Sequence, residues 1–147
     1  MAREITTSIS INAQPENVWA VLTDFNNYPN WNPFIKSIKG NVEKGNKISV
    51  QITPPNAKEM TFTPKVLAFE KNKEFRWLGH LFIPGIFDGE HKFELKLNED
   101  GTTNFIHSEK FRGILVPFLK KMLETTTKKG FESMNEKIKE MAERKTL

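Results

Sequence analysis

The sequence predicts an α+β fold in which an antiparallel sheet is covered by one long C-terminal helix. Three observations lead there. Residues 5–11, and several short runs between Phe34 and Phe111, alternate apolar and polar side chains, the period of half-buried strands. Asn98-Glu-Asp-Gly101 is hairpin-turn chemistry between two such runs. From Gly113 to Glu143 the period changes. Leu115, Leu119, Met122, Leu123, Thr126, Gly130, Met134, Ile138 and Met141 follow one drifting stripe, with Lys121, Glu124, Lys128, Glu132 and Lys139 opposite. That is an amphipathic helix. Strands in series with segregated helices define the α+β class, and a sheet with one wet face must bury the other.

Taken in order, Ile5, Thr7, Ile9 and Ile11 form one face of the first strand. Pro15 suits a first helical position and Glu16 the positive end of the helix dipole. Val18, Val21, Leu22 and Phe25 then repeat at helical spacing. Asn26 to Pro33 is turn chemistry around Tyr28 and Trp31, so two short helical segments precede the second strand. Phe34–Val42, Ile48–Ile52, Met60–Phe69, Phe75–Leu78, Phe87–Leu97 and Thr102–Phe111 read as six further strands, seven in all. Apolar parity shifts around Pro64, which suggests an edge or a bulge there.

The final helix has small residues in its inner stripe: Thr126, Gly130 and Ser133. A Gly inside a helix costs about 1 kcal/mol relative to Ala. Either another backbone packs closely at that point or empty space lies beside the helix.

A length of 147 residues is most simply one domain, 1–147, with a real core. The net charge of +4 is spread over lysines interleaved with Glu, the look of a solvated face. With no Arg-rich stripe or RNA-binding aromatic signature, no nucleic-acid partner is expected. No apolar run reaches the roughly 20 residues of a membrane span, so no stable membrane insertion is expected. The N-terminus lacks signal-peptide character, and with no Cys a cytoplasmic location is expected. His80, His91 and His107 form no close metal-binding pair, and no phosphate loop, nucleophile elbow or dinucleotide fingerprint appears. No metal and no cofactor are expected.

Five segments, in order, resemble the START-like or SRPBCC superfamily, the polyketide cyclase/dehydrase-like helix-grip proteins. They are Pro15-Glu-Asn-Val-Trp19, Asp24 with Tyr28-Pro-Asn-Trp31-Asn-Pro33, Trp77-Leu-Gly79, Phe87-Asp-Gly-Glu-His91-Lys-Phe93 and Glu109-Lys-Phe111-Arg-Gly113. The resemblance spans nearly the whole chain. It implies a curved seven-stranded antiparallel sheet gripping the C-terminal helix, with an apolar cavity between them. Members bind sterols, phospholipids, polyketides or other hydrophobic molecules, and some catalyse cyclisation or dehydration; a fold alone does not select among these.

Candidate residues follow from strand parity. Phe87, His91, Phe93, Leu95 and Leu97 share one side of a strand, and Phe105, His107, Glu109 and Phe111 one side of the next. Polar groups on an apolar face need partners, because each left unsatisfied costs about 1–3 kcal/mol. His91, His107 and Glu109 therefore read as a self-satisfied buried cluster, as a polar handle for a ligand, or as an acid–base pair of His91 and Glu109. The apolar run Leu81-Phe-Ile-Pro-Gly-Ile-Phe87 is either a core plug, with Leu81 and Phe82 filling one end of the core, or a lid over a cavity mouth that turns at Pro84-Gly85, with Phe82 and Ile83 as candidate ligand contacts. Trp31 is core or cavity entrance, and Arg76 points outward. Met60, Phe62, Phe75, Trp77, Phe93, Phe105, Met122, Thr126 and Gly130 are the expected cavity wall.

The leading expectation is binding of a small hydrophobic molecule between sheet and helix. Its rivals are a cyclase or dehydratase using His91 and Glu109, and a chaperone-partner-like interaction module with a solid core. Neither ligand identity nor oligomeric state is encoded in these patterns.

Overall fold

The computed structural model describes residues 2–55, 57–81 and 83–146. Eight strands lie among them: β1 (Ala2–Ile11), β2 (Ile35–Lys39), β3 (Ser49–Ile52), β4 (Met60–Phe62), β5 (Lys65–Glu70), β6 (Glu74–Leu81), β7 (Phe87–Leu97) and β8 (Thr103–Arg112). Helix α1 (Pro15–Thr23), a 3₁₀ turn (Phe25–Asn27) and α2 (Tyr28–Trp31) separate β1 from β2. The C-terminal rod comprises α3 (Val116–Met122), a π turn (Leu123–Thr127) and α4 (Lys128–Thr146). No helix among the described residues is long and apolar enough to cross a membrane.

The α+β class, the antiparallel pairing and the long terminal rod are as expected. The strand count is not: eight strands form two sheets, ordered β1-β8-β7-β6-β5 and β2-β3-β4. The physical reason is Pro64, which has no N–H to give a ladder, so the expected Met60–Phe69 strand divides into β4 and β5. The Pro64 carbonyl accepts Ile48 N at 3.0 Å, while Val66 N donates to Asn46 O and Gly45 N to Val66 O, both at 2.8 Å. Those bonds join the sheets at a corner.

The short helical connection is set by local hydrogen bonds. Tyr28 is fully buried and its hydroxyl donates to the Leu22 carbonyl, tying α2 back to α1. Asn32 Oδ1 accepts from Phe34 N at 2.9 Å and Ile35 N at 2.8 Å, an Asx arrangement that turns the chain into β2. It also delivers Phe34 to the rod. An ideal Cβ on Gly130 would lie 2.6 Å from Phe34 Cδ1. The helical glycine therefore answers a close approach, but by a side chain rather than a backbone.

A π turn takes more residues per turn than the surrounding α-helix, so the inward face drifts from uniform spacing. Phe131, Met134, Ile138 and Ala142 are completely buried, whereas Ser133, expected inside, is exposed. Below them Phe75, Phe93 and Phe105 form a stacked floor, with Phe75–Phe93 centroids at 5.8 Å and Phe93–Phe105 at 6.1 Å.

Candidate ligand cavity

Beside the π turn the packing stops, leaving a cavity of about 510 Å³, within the usual range for small-molecule sites. The rod contributes Leu119, Met122, Leu123, Thr126 and Thr127. Across from it stand Ile52, Met60 and Phe62 with Pro54, Pro55 and Ala57 of the β3–β4 connection. Trp77, Phe87 and Phe111 line the face given by the large sheet, and Phe87 stacks on Phe111 at 5.5 Å and 14°. His91 and Glu109 supply the polar end, and His80, held to Asp88 at 2.7 Å, reaches the wall beside Gly79.

Of the residues selected from sequence, Met60, Phe62, Trp77, His91, Glu109, Met122 and Thr126 lie on this wall. Several others do not. Phe75, Phe93 and Phe105 share the inward parity and are completely buried, but they sit farther along the strands, outside this lining. Gly130 is covered by Phe34. Trp31 packs edge-on against Tyr28 at 5.3 Å, away from the cavity. Ile83 is 68% exposed, and Phe82 lies outside the described residues. At its far end the β6–β7 connection is tied to the segment leading into α3: Ile114 N donates to Gly85 O and Leu115 N to Ile86 O, both at 3.1 Å. Arg76 is on the outer face between Glu74 and Glu90.

His107 is off the wall but one hydrogen bond behind it. Its Nε2 lies 2.7 Å from His91 Nε2, and His91 Nδ1 lies 3.0 Å from Glu109 Oε1. On the far side His107 Nδ1 meets Asn135 Oδ1 at 2.9 Å, and Asn135 Nδ2 donates to Thr7 Oγ1 at 2.8 Å. Aromatic rings clamp both imidazoles: Trp77 stacks on His91 at 4.7 Å, and Phe131 on His107 at 4.2 Å. This cluster is satisfied internally except at Glu109, whose side chain is 15% exposed.

Burial holds the His107 imidazole well below the usual histidine range, and the neighbouring His91 pushes the same way, against the hydrogen bonds to Asn135 and the Phe131 backbone. His107 is therefore folded neutral. The unfolded chain regains an ordinary histidine near 6.5 and binds a proton the folded chain refuses. Stability from this source is full above about pH 6.5 and is lost as pH falls below it. The urea midpoint should fall between about pH 7 and about pH 5, with a slope of up to about 1.4 kcal/mol per pH unit. Glu143, held below the carboxylate range by Lys139 and the Asn12 N–H, adds its own loss only below about 4.5. A midpoint flat across the upper window would mean that His107 is charged in the fold.

Sequence reasoning left Leu119, Leu123, Thr127, Ile52, Phe87 and Phe111 out of the expected wall, and it missed Asn135 and the prolines of the β3–β4 connection. Asn135, a lone polar residue between Met134 and Ile138 on the inner helix face, was a legible signal. Two adjacent prolines in a connection, Pro54 and Pro55, are rigid apolar surface.

The comparison with curated proteins returned no match. Among solved structures, the chain is similar in fold to the ZhuI aromatase/cyclase from Streptomyces sp. R1128, with a TM-score of 0.80 and 14% identity, over 100% of this chain and 97% of that one. A norcoclaurine synthase point mutant from Thalictrum, in complex with a transition-state analogue, gives 0.76 and 11% over 100% and 98%. The di-domain ARO/CYC StfQ from the steffimycin biosynthetic pathway gives 0.79 and 9%, over 99% of this chain but 52% of that one. Residues 2–143 match the family model for polyketide cyclase / dehydrase and lipid transport. The expected helix-grip architecture, the observed sheet and rod and this full-length match agree: the chain belongs to the polyketide cyclase / dehydrase and lipid transport family.

Proposed function

We propose that this protein binds one small hydrophobic molecule in the cavity between the large sheet, the β3–β4 arm and the π turn. The observation that carries this reading is a space of about 510 Å³ walled almost entirely by apolar side chains, with His91 and Glu109 as convergent polar groups at one end. A wall of that composition supplies affinity through apolar burial and orientation through few polar contacts. The family description couples lipid transport with cyclase and dehydrase activity, and both uses need such a hollow. An interaction module with a solid core has less support beside it.

The test is thermal unfolding with a panel of long-chain alcohols, fatty acids, sterols and aromatic polyketides. A ligand present at about 100 times its dissociation constant should add about 2.7 kcal/mol of stability. The variant Thr126→Phe, which puts a ring into the cavity from the rod, should stay folded and lose the shift. If no compound shifts the wild type, or if Thr126→Phe responds as the wild type does, the cavity is not the binding site.

Catalysis is the second reading, favoured by the direct His91–Glu109 contact on the cavity wall. It adds an acid–base role for the pair to the same binding mode.

A further inference from the structure

The buried hydrogen bonds have a direction, and it determines what the polar end of the cavity can accept. The chain is anchored on the backbone carbonyl of His107, which has no proton to give. The Thr7 hydroxyl therefore donates to that carbonyl, at 2.8 Å. With its proton committed, Thr7 Oγ1 accepts from Asn135 Nδ2. Asn135 must then turn its amide oxygen toward His107 Nδ1. An amide oxygen only accepts, so the His107 proton sits on Nδ1. The ring is neutral, which leaves Nε2 as a bare acceptor, and His91 Nε2 donates to it. The remaining contact, His91 Nδ1 to Glu109 Oε1, then holds one proton, carried by either atom.

In both cases Glu109 Oε2 bears no proton. It makes no ion pair and no hydrogen bond with the described residues, since the carboxyl group's single partner is His91 through Oε1. Space for it is made by Gly89, where an ideal Cβ would lie 2.2 Å from Oε2. No Lys or Arg among the described residues pairs with Glu109. The other polar groups on the wall discriminate less. The Thr126 and Thr127 hydroxyls can donate or accept, His80 is engaged by Asp88, and Trp77 Nε1, an N–H donor without a partner, is shut off from the surface.

We infer that the polar end of the cavity is a hydrogen-bond acceptor, Glu109 Oε2, and that it selects an apolar molecule carrying a hydroxyl or N–H donor. A bound donor would sit at the head of a series in which the hydrogen bonds from His91 onward, to His107, Asn135 and Thr7, all point into the core, so that each polarises the next. Ketones, ethers, phosphates and carboxylates instead set lone pairs against Oε2. Thr7, Asn135 and His107 act as positioning residues that maintain this polarity. The ligand half of the inference rests on the cavity being the binding site proposed above; the hydrogen-bond direction does not.

Two measurements separate these halves. A long-range ¹H–¹⁵N spectrum of the two imidazoles, recorded without any added compound at neutral pH, should show His107 protonated at Nδ1 and bare at Nε2, and His91 protonated at Nε2. A His107 proton on Nε2 overturns the direction and the inference with it. Binding of 2-naphthol, 2-methoxynaphthalene and 2-acetylnaphthalene is then measured by calorimetry. The naphthol should bind about tenfold tighter than either acceptor-only probe, and Glu109→Met should remove that difference while still binding the ether. Equal affinities in the wild type, or a preference that survives Glu109→Met, overturn the donor selectivity. If none of the three binds while the spectrum is as expected, the donor selectivity is overturned; the hydrogen-bond direction stands, and the cavity reading is decided by the ligand panel above.

Discussion

Phe131→Ala is expected to cost about 3–5 kcal/mol, the range for removing a buried aromatic side chain without collapse of the site. Phe131 is completely buried. Its ring lies flat on His107 at 4.2 Å and 11°, meets His91 edge-on at 5.1 Å and packs against Phe34 at 5.5 Å. Removing it deletes apolar contact and uncovers the histidine pair from the helix side. No neighbour can refill the gap cheaply, because His107 is pinned by Asn135 and His91, and Phe34 is already against Gly130. Since domains are stable by only about 5–15 kcal/mol, the urea midpoint should move far with little change in slope. Loss of less than about 1 kcal/mol would mean that the inner helix face is not packed as described.

Gly113→Ala should produce the second largest loss. Gly113 follows β8 with φ of +127°, and an ideal Cβ there would lie 2.4 Å from the Ile86 carbonyl oxygen. Backbone strain of this kind costs about 1–3 kcal/mol. The clash adds to it, because the obstructing atom is backbone and cannot swing aside. Ile86 O is also the acceptor for Leu115 N, so moving it loosens the junction between the β6–β7 connection and the start of α3, next to the cavity. Gly45→Ala is the matched control: φ is +93° there, and nothing lies within 4 Å of the added Cβ. Denaturant midpoints of the two variants separate strain from clash. Equal losses would show that Gly113 is held by its backbone angle alone.

Much of this architecture was legible because it is written in near neighbours. Period-two runs identified the central strands, and the turn at Asn98–Gly101 set the register that places His91 opposite Glu109. The parity argument therefore put His91 and Glu109 on the inner face, where they meet. It also selected Phe75, Phe93 and Phe105 as wall, because parity gives the face of a strand and not the position along it at which a helix stops covering that face. The split at Pro64 was anticipated as an irregularity, but not as the corner that turns three strands into a separate arm. Thr126 and Gly130 illustrate the same limit on the helix: both are small residues one turn apart, yet Thr126 borders the cavity and Gly130 receives a phenylalanine ring.

By itself, the sequence determined the α+β class, the order of strands and helices, the amphipathic terminal rod and the polar residues carried on the sheet's inner face. Those features depend on side-chain periods of two and about 3.6, which any local stretch expresses before it meets the rest of the chain. Only the tertiary structure decided where packing ends and the cavity begins, that Asn135 and Thr7 complete the histidine pair, and which way its protons point. Thr7 and Asn135 stand 128 residues apart. Their meeting, like the hollow beside the π turn, exists only once the rod has closed on the sheet, because a cavity and a directed hydrogen-bond chain are properties of surfaces brought together.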